Sequence, residues 1–256
     1  MLIDTHTHLY SEQFDEDRDQ IIKRALDAGI ERFYLPAIDS TYTNRMLSLE
    51  QEYPENIFAM MGLHPTSVHP DTLGFELNAV ENWLKKRKFK AVGEIGIDLY
   101  WEKAYLQEQQ DAFKKQIQLA KTYNLPIVIH CREAFEEVFE VLEDEKDDKL
   151  FGIFHCFSGT KEDANRAIDF NLHLGIGGVV TFKNGKIDQF LNEIPIERIV
   201  LETDSPYLAP VPFRGKRNES SYLINVVEKL VDIYRLTPNE LAEITTKNAL
   251  SIFEKD

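Results

Sequence analysis

A chain of 256 residues, 43% hydrophobic and 29% charged, carries enough apolar material for a substantial core, which sets aside disorder and fibrous repeats. Its net charge of -15, from 44 acidic against 29 basic side chains, disfavours general adhesion to nucleic acid or anionic membrane but leaves room for a local basic patch. No apolar stretch approaches the roughly 18 residues of a bilayer span, no signal-peptide pattern precedes the first apolar run, and the two cysteines make no disulfide scaffold, so a cytoplasmic location is expected.

Eight apolar runs follow one another: LIDTH, RFYLPAI, IFAMMGLH, KAVGEIGI, PIVIHC, FGIFHCF, HLGIGGVV and RIVLETD. They begin near residues 2, 32, 57, 90, 126, 151, 172 and 198 and read as strands. Intervals of roughly 20 to 35 residues suit a strand plus a helical crossover. Amphipathic stripes lie between them. Leu77, Val80, Trp83 and Leu84 form one, and Phe135, Val138, Phe139 and Leu142 another, at the spacing of a buried helix face. Near the end, Thr237, Pro238 and Glu240 form a capping signal for a helix carrying Leu241, Ile244, Ile252 and Phe253. The alternation predicts an α/β protein, one (β/α)8 TIM barrel over residues 1–256 as a single domain. The runner-up, an open doubly wound sheet, would scatter the candidate ligands that a barrel gathers.

Those candidates stand at the ends of the runs. His6 and His8 close the first, and in extended backbone residues i and i+2 face the same way, so both imidazoles can converge on one point. Glu94 stands at the fourth run, His130 at the fifth, His155 at the sixth and Asp204 at the eighth. In a barrel these ends share the C-terminal face, where active sites of that architecture lie. Four histidines and two carboxylates exceed what one tetrahedral ion with an open position uses, which points to two divalent cations. The expected division sets His6, His8 and Asp204 on one ion and His130 and His155 on the other, with Glu94 bridging. Ions about 3.5 to 4 Å apart activate water and stabilise phosphoryl oxygens, so hydrolysis is implied. Imidazole and carboxylate ligands suit Zn or Mn and admit Mg. Cys131 and Cys156 each follow a candidate ligand, and strand alternation turns them away from the interior as small buried hydrophobes.

The ordered motifs HTH, GLHP, GEIGID, HCRE, HCFSG and TDSPYLAP followed by RGKRN closely resemble those of the TatD family of metal-dependent deoxyribonucleases, over essentially the whole chain. The resemblance implies a distorted TIM barrel, the same six residues as metal ligands, and hydrolysis of DNA ends, typically as an exonuclease, on single-stranded or frayed DNA. It also implies a substrate-facing role for His64; from spacing alone, a turn histidine bonded to backbone serves as well. Two positions depart from the pattern: Ser220 follows RGKRNE where proline is common, and Cys131 stands where the family varies. Neither is a candidate ligand.

Glu94 and Asp204 are the expected catalytic carboxylates, Asp204 also as the acceptor of a proton from water. Glu202 shares a face with Asp204 one layer deeper and suits a partner of a ligand histidine. Arg132 is a phosphate-binding candidate, or else a helix-start ion pair. Arg214, Gly215, Lys216 and Arg217 follow the eighth run and border the mouth, where their charge suits a phosphate backbone. KKRKFK, residues 85 to 90, precedes the fourth run and closes a helix at the opposite end. Tyr100 and Trp101 either offer a nucleobase stacking face or pack the loop. His69 and His173 are expected at the surface and at a strand start. Two other readings remain: an amidohydrolase or an esterase such as an aminoacyl-tRNA deacylase, and a non-enzymatic module with enclosed ions. No obligate protein partner is implied. Glu94, standing where a modified lysine would bridge, favours the nuclease.

Overall fold

Each of the eight apolar runs forms a strand in the computed structural model, which describes residues 1–101 and 103–255. In chain order they are β1 (Leu2–Asp4), β2 (Ile30–Leu35), β3 (Ile57–Ala59), β4 (Val92–Asp98), β5 (Ile127–Arg132), β6 (Gly152–Phe154), β7 (Leu172–Ile176) and β8 (Ile199–Leu201). The helices are α1 (Arg18–Asp27), α2 (Thr43–Glu52), α3 (Leu73–Lys86), α4 (Leu106–Tyr123), α5 (Phe135–Asp144), α6 (Lys161–Asp169), α7 (Leu223–Tyr234) and α8 (Pro238–Phe253). All paired strands are parallel and neighbours follow chain order, β1-β2-β3 in one sheet and β4 to β8 in the other. Two seams separate the sheets, bridged by the isolated pairs Met61 with Val92 and Thr7 with Ser205. Thr5 N–H donates to Leu201 O (2.9 Å) and Gly93 N–H to Met61 O (3.0 Å), so β8 comes back to β1. The architecture is a distorted TIM barrel whose ladder is not continuous around the ring; the open doubly wound alternative is excluded by this strand order.

Alternation sorts the side chains. Ile3, Tyr34, Met60, Val128, Ile153 and Val200 share a buried cluster with Ala249, Ile252 and Phe253 of α8, so the last helix plugs the lower end of the ring. The Tyr34 and Phe253 rings stack 3.8 Å apart there. Ile127, Ile129, Leu172, Leu174 and Ile199 belong instead to the larger cluster shared with the surrounding helices. Each fully buried aliphatic or aromatic side chain stabilises the fold by about 1.5–3 kcal/mol relative to exposure. The expected capping signal opens α8: Glu240 N–H donates to Thr237 Oγ1 (3.3 Å) and Thr237 N–H to the Glu240 carboxylate (2.8 Å), with Pro238 at the first helical position.

Between β7 and β8 the crossover has no α-helix but four short 3₁₀ turns, at 178–181, 187–189, 191–193 and 196–198. That segment lacks a 3.6-residue apolar stripe and contains Gly185 and Pro195, both poor in helix interiors. Among the described residues, no helix is long and apolar enough to cross a membrane.

Candidate metal centre

At the upper end of the ring the inner face changes from apolar to polar. In β5 Val128 gives way to His130, beyond β6 Ile153 gives way to His155, and beyond β8 Val200 gives way to Glu202 and then Asp204. Glu94 owes its aim to a bulge. The β4–β5 register runs Gly93 to Val128 and then Ile95 to Ile129, leaving Glu94 unpaired and re-aimed. Gly96, at φ 140°, lets β4 close on β5 beside His130, because a Cβ there would lie 2.0 Å from His130 O. Asp4 stitches the HTH segment to the opposite side of the ring. Its carboxylate accepts from Thr203 N (2.9 Å), Thr203 Oγ1 (2.6 Å) and His6 N (3.4 Å), and burial raises its pKa to about 7. Asp204 itself sits at φ 56°, a left-handed conformation that side chains other than glycine adopt at a cost and that clusters at functional sites.

The two oxygens of Glu94 are divided between two groups of imidazoles. Oε2 lies 3.0 Å from His6 Nε2 and 3.7 Å from His8 Nε2. Oε1 lies 2.8 Å from His130 Nδ1, 3.3 Å from His64 Nε2 and 3.7 Å from His155 Nε2. Asp204 Oδ1 approaches His8, His6 and His155 at 3.5, 3.8 and 3.9 Å. His6 and His155 stack with ring centroids 3.4 Å apart. The structure thus brings together all six residues expected at the strand ends and adds His64.

Partners on the far side of the rings decide which nitrogen carries hydrogen. Tyr10 has one hydroxyl proton, and Pro36 O, 2.6 Å away, accepts it, so Tyr10 Oη accepts from His8 Nδ1 at 3.0 Å. The His8 Nε2 lone pair is left facing the carboxylates. Asp98 Oδ2 holds His130 Nε2 at 2.9 Å, turning Nδ1 inward. Glu202 Oε1 meets His155 Nδ1 at 3.0 Å and leaves Nε2 inward. An outer carboxylate or hydroxyl that orients a ring in this way is the usual support of a metal-ligating histidine. His64 is built oppositely. Its Nδ1 accepts the Thr66 N–H at 3.1 Å, so in the neutral ring Nε2 bears the proton and faces both His130 Nδ1 and Glu94 Oε1, each 3.3 Å away.

Burial by itself would raise the pKa of Glu94, yet its electrostatic interactions with His6, His64 and His155 and the His130 contact outweigh it and hold the carboxyl well below its usual range. Burial would likewise lower His155, but Glu202, Glu94 and Asp204 raise it to about 10. His6 is pushed down, by its burial first and then by His155. Three carboxylates, Glu202, Glu94 and Asp204, thus crowd negative charge around His155, a charge that a bound cation would compensate in place of a proton. His6, fully buried, makes no well-aligned hydrogen bond at either ring nitrogen among the described residues, although its Nε2 stands 3.0 Å from Glu94 Oε2. Inward imidazole nitrogens converging on ionised carboxylates, one of them without an aligned hydrogen bond, are the donor set of a divalent-cation site, and the residues present fit one.

Glu202 stands where expected, fully buried behind His155, with Oε1 also accepting the Cys156 N–H at 2.7 Å. Cys156 corrects the sequence reading. β6 ends at Phe154 and Cys156 takes φ 46°, so alternation fails and the thiol comes within 4.8 Å of ligand atoms of His155 and Asp204 instead of turning away. Burial pushes that thiol well above its ordinary pKa, and raises Cys131 to about 12, so neither is an activated nucleophile. Arg132 is exposed, its guanidinium 3.7 Å from the centre of the Tyr100 ring. Arg214 is exposed over Phe182. Arg217 departs from the expected phosphate-binding run: it makes paired hydrogen bonds to Asp17, at 2.9 and 2.5 Å, and another to Gln13 O. His69 is at the surface and His173 near the start of β7. Lys85 and Lys86 close α3 as predicted. Sequence reasoning missed Tyr10 and Asp98; their only signal was proximity, two residues after His8 and four after Glu94.

A family model described as TatD related DNase matches residues 3–254. The chain is 41% identical over 254 residues to an uncharacterized metal-dependent hydrolase, YabD, of Bacillus subtilis, covering 99% of both chains. It is 31% identical over 259 residues, 99% of each, to a Salmonella typhimurium protein named 3'-5' ssDNA/RNA exonuclease TatD. The crystal structure of YjjV, a TatD homologue from Escherichia coli, superposes with a TM-score of 0.92 at 29% identity, covering 100% of this chain and 98% of that one.

Proposed function

The chain belongs to the TatD-related DNase family and is a metal-dependent hydrolase, and from that premise we propose that it is an exonuclease removing nucleotides from single-stranded DNA ends. The observation that carries the reading is the division of the Glu94 oxygens between His6 and His8 on one side and His130 and His155 on the other. In this reading His6, His8 and Asp204 hold one divalent cation, His130 and His155 a second, and Glu94 serves both. Zn, Mn and Mg all suit the set. When bound, the pair supplies Lewis acidity for water and for the phosphoryl oxygens.

The protein groups have separate tasks. Asp204, ionised and at the rim of the cluster, accepts the proton of the attacking water. His64 offers its Nε2 proton toward the same space, which suits hydrogen bonding to a substrate phosphoryl oxygen. Arg132 and Arg214 hold neighbouring phosphates at the mouth. The Salmonella relative named as a single-strand exonuclease supports an end-directed activity. With ligands drawn from the first strand to the last, the chain acts as one catalytic domain, and its two free cysteines suit a reducing cytoplasm.

Metal-loaded protein should be given 5′- and 3′-labelled oligodeoxynucleotides, a matched RNA and an aminoacylated tRNA. Mononucleotide release from the single strands is expected. Deacylation of the tRNA with every oligonucleotide left intact would replace this reading with that of a carbonyl-ester hydrolase on the same site.

A further inference from the structure

The turn after β4 leaves two large aromatic rings in solvent at the mouth. Trp101 is 68% exposed and Tyr100 48%, so the loop does not bury them. They stand perpendicular, ring centroids 4.9 Å apart, and the Arg132 guanidinium lies 3.7 Å from the Tyr100 centroid and 5.6 Å from that of Trp101. A cation over aromatic faces is the surface on which nucleobases stack while the charge meets their phosphates.

Asp98 fixes this turn to the centre. Fully buried, it accepts the Tyr100 and Trp101 N–H groups on Oδ1, both at 3.0 Å, while its Oδ2 stands 2.9 Å from His130 Nε2. Gln109 clamps the Asp98 backbone from both sides, accepting its N–H at 2.8 Å and donating to its carbonyl at 3.2 Å. One carboxylate therefore sets both the ring of a candidate ligand and the aromatic pair. Arg132 is paired with Asp98 across the sheet and lies two residues beyond His130, about 6.6 Å along an extended strand.

Building on the exonuclease reading, we infer that Trp101, Tyr100 and Arg132 form a nucleobase-stacking subsite that grips a base within the first few nucleotides of the scissile phosphodiester, without sequence preference. Asp98 is its positioning residue. Stacking is tolerant because every base presents a π face.

Trp101→Ala should bind single-stranded oligonucleotides about tenfold more weakly, with KM raised more than kcat is lowered, while the titrated content of Mn2+ or Zn2+ and the circular dichroism spectrum stay unchanged. Trp101→Phe should recover most of the affinity. An oligonucleotide series with one abasic position, moved through the first four nucleotides from the attacked end, gives the decisive readout. At one position the abasic substrate should cost the wild type what Trp101→Ala costs, and the two losses should not add. In a Trp83→Phe background, where Trp101 is the sole tryptophan, that oligonucleotide should quench fluorescence less than the intact one. Wild-type KM in Trp101→Ala, or full additivity at every abasic position, with oligonucleotides still cleaved, overturns the subsite and leaves the exonuclease reading standing. No cleavage of any oligonucleotide by the wild type sinks both.

Discussion

Gly175→Ala places one methyl group against the support of His155. A Cβ at that position would stand 2.1 Å from Glu202 Oε2 and 2.8 Å from Glu202 Cδ. β7 cannot retreat, since Gly175 pairs with Val200 of β8 and its carbonyl accepts the Phe157 N–H at 3.0 Å. Glu202 must rotate, withdrawing Oε1 from Cys156 N and from His155 Nδ1. Overpacking costs about 1–3 kcal/mol, and losing a buried hydrogen bond to a charged group about 1.5–3 kcal/mol. The sum, roughly 2.5–6 kcal/mol, is a large part of the ~5–15 kcal/mol that holds a typical domain together, and at about 2–4 °C per kcal/mol it lowers Tm by roughly 5–24 °C. Because His155 loses its orienting partner, affinity for Zn2+ or Mn2+ should fall about 10- to 100-fold. Gly74→Ala is the control. It lies in α3 with no atom within 4 Å of its added Cβ, so it should stabilise by up to about 1 kcal/mol. Thermal and urea unfolding of chelated protein, followed by calorimetric metal titration, compares the pair. A Gly175→Ala protein that melts and binds metal like Gly74→Ala would refute the argument that the added methyl displaces Glu202 from His155 and Cys156.

Chelation should abolish hydrolysis while leaving the far-ultraviolet circular dichroism of a folded barrel, because the apolar layer between Ile3, Val128 and Val200 and the α8 plug does not depend on ions; collapse of the signal would make the cations structural. Tyr10→Phe should bind metal about tenfold more weakly, since nothing then fixes the hydrogen on His8 Nδ1, and wild-type affinity in a titration counts against that role. His173 is pushed down to about 4 by burial and by Arg198, with Nδ1 lacking a hydrogen-bond partner among the described residues. Its folded pKa lies below the ordinary 6.5, so the unfolded state binds the extra proton first. Stability is intact above pH ~6.5 and falls, by up to about 3 kcal/mol, as pH drops toward 4; His173→Gln should flatten that part of a urea-denaturation pH series, and an unchanged slope would show another group titrating. Arg214→Ala should reduce the logarithmic salt dependence of oligonucleotide binding by about 0.7, one phosphate contact, with metal content intact; an unchanged slope assigns Arg214 to packing against Phe182.

Most of the fold was legible because its signals are local. Apolar runs at strand length, stripes at helical spacing and the Thr237 cap each depend on a few neighbouring residues, and each formed the element expected of it. The crossover between β7 and β8 was the least legible, its 3₁₀ turns having no period to read. His6, His8, Glu94, His130, His155 and Asp204 were legible as a set because a barrel brings every strand end to one face whatever the details. Cys156 was misread because alternation holds only while the backbone stays extended, and one left-handed residue cancels it.

The sequence alone determined the architecture, the identity of the converging residues and the family they resemble, since period and strand-end placement are carried by the chain itself. Only the tertiary structure decided who meets whom. Which Glu94 oxygen faces which imidazole, that Arg217 is committed to Asp17, and that Asp98 joins the aromatic turn to His130 all depend on contacts between segments far apart in the chain. Such contacts change with a one-residue slip of register, as the bulge at Glu94 shows, and register is set by the packing of the whole ring, not by any residue's neighbours.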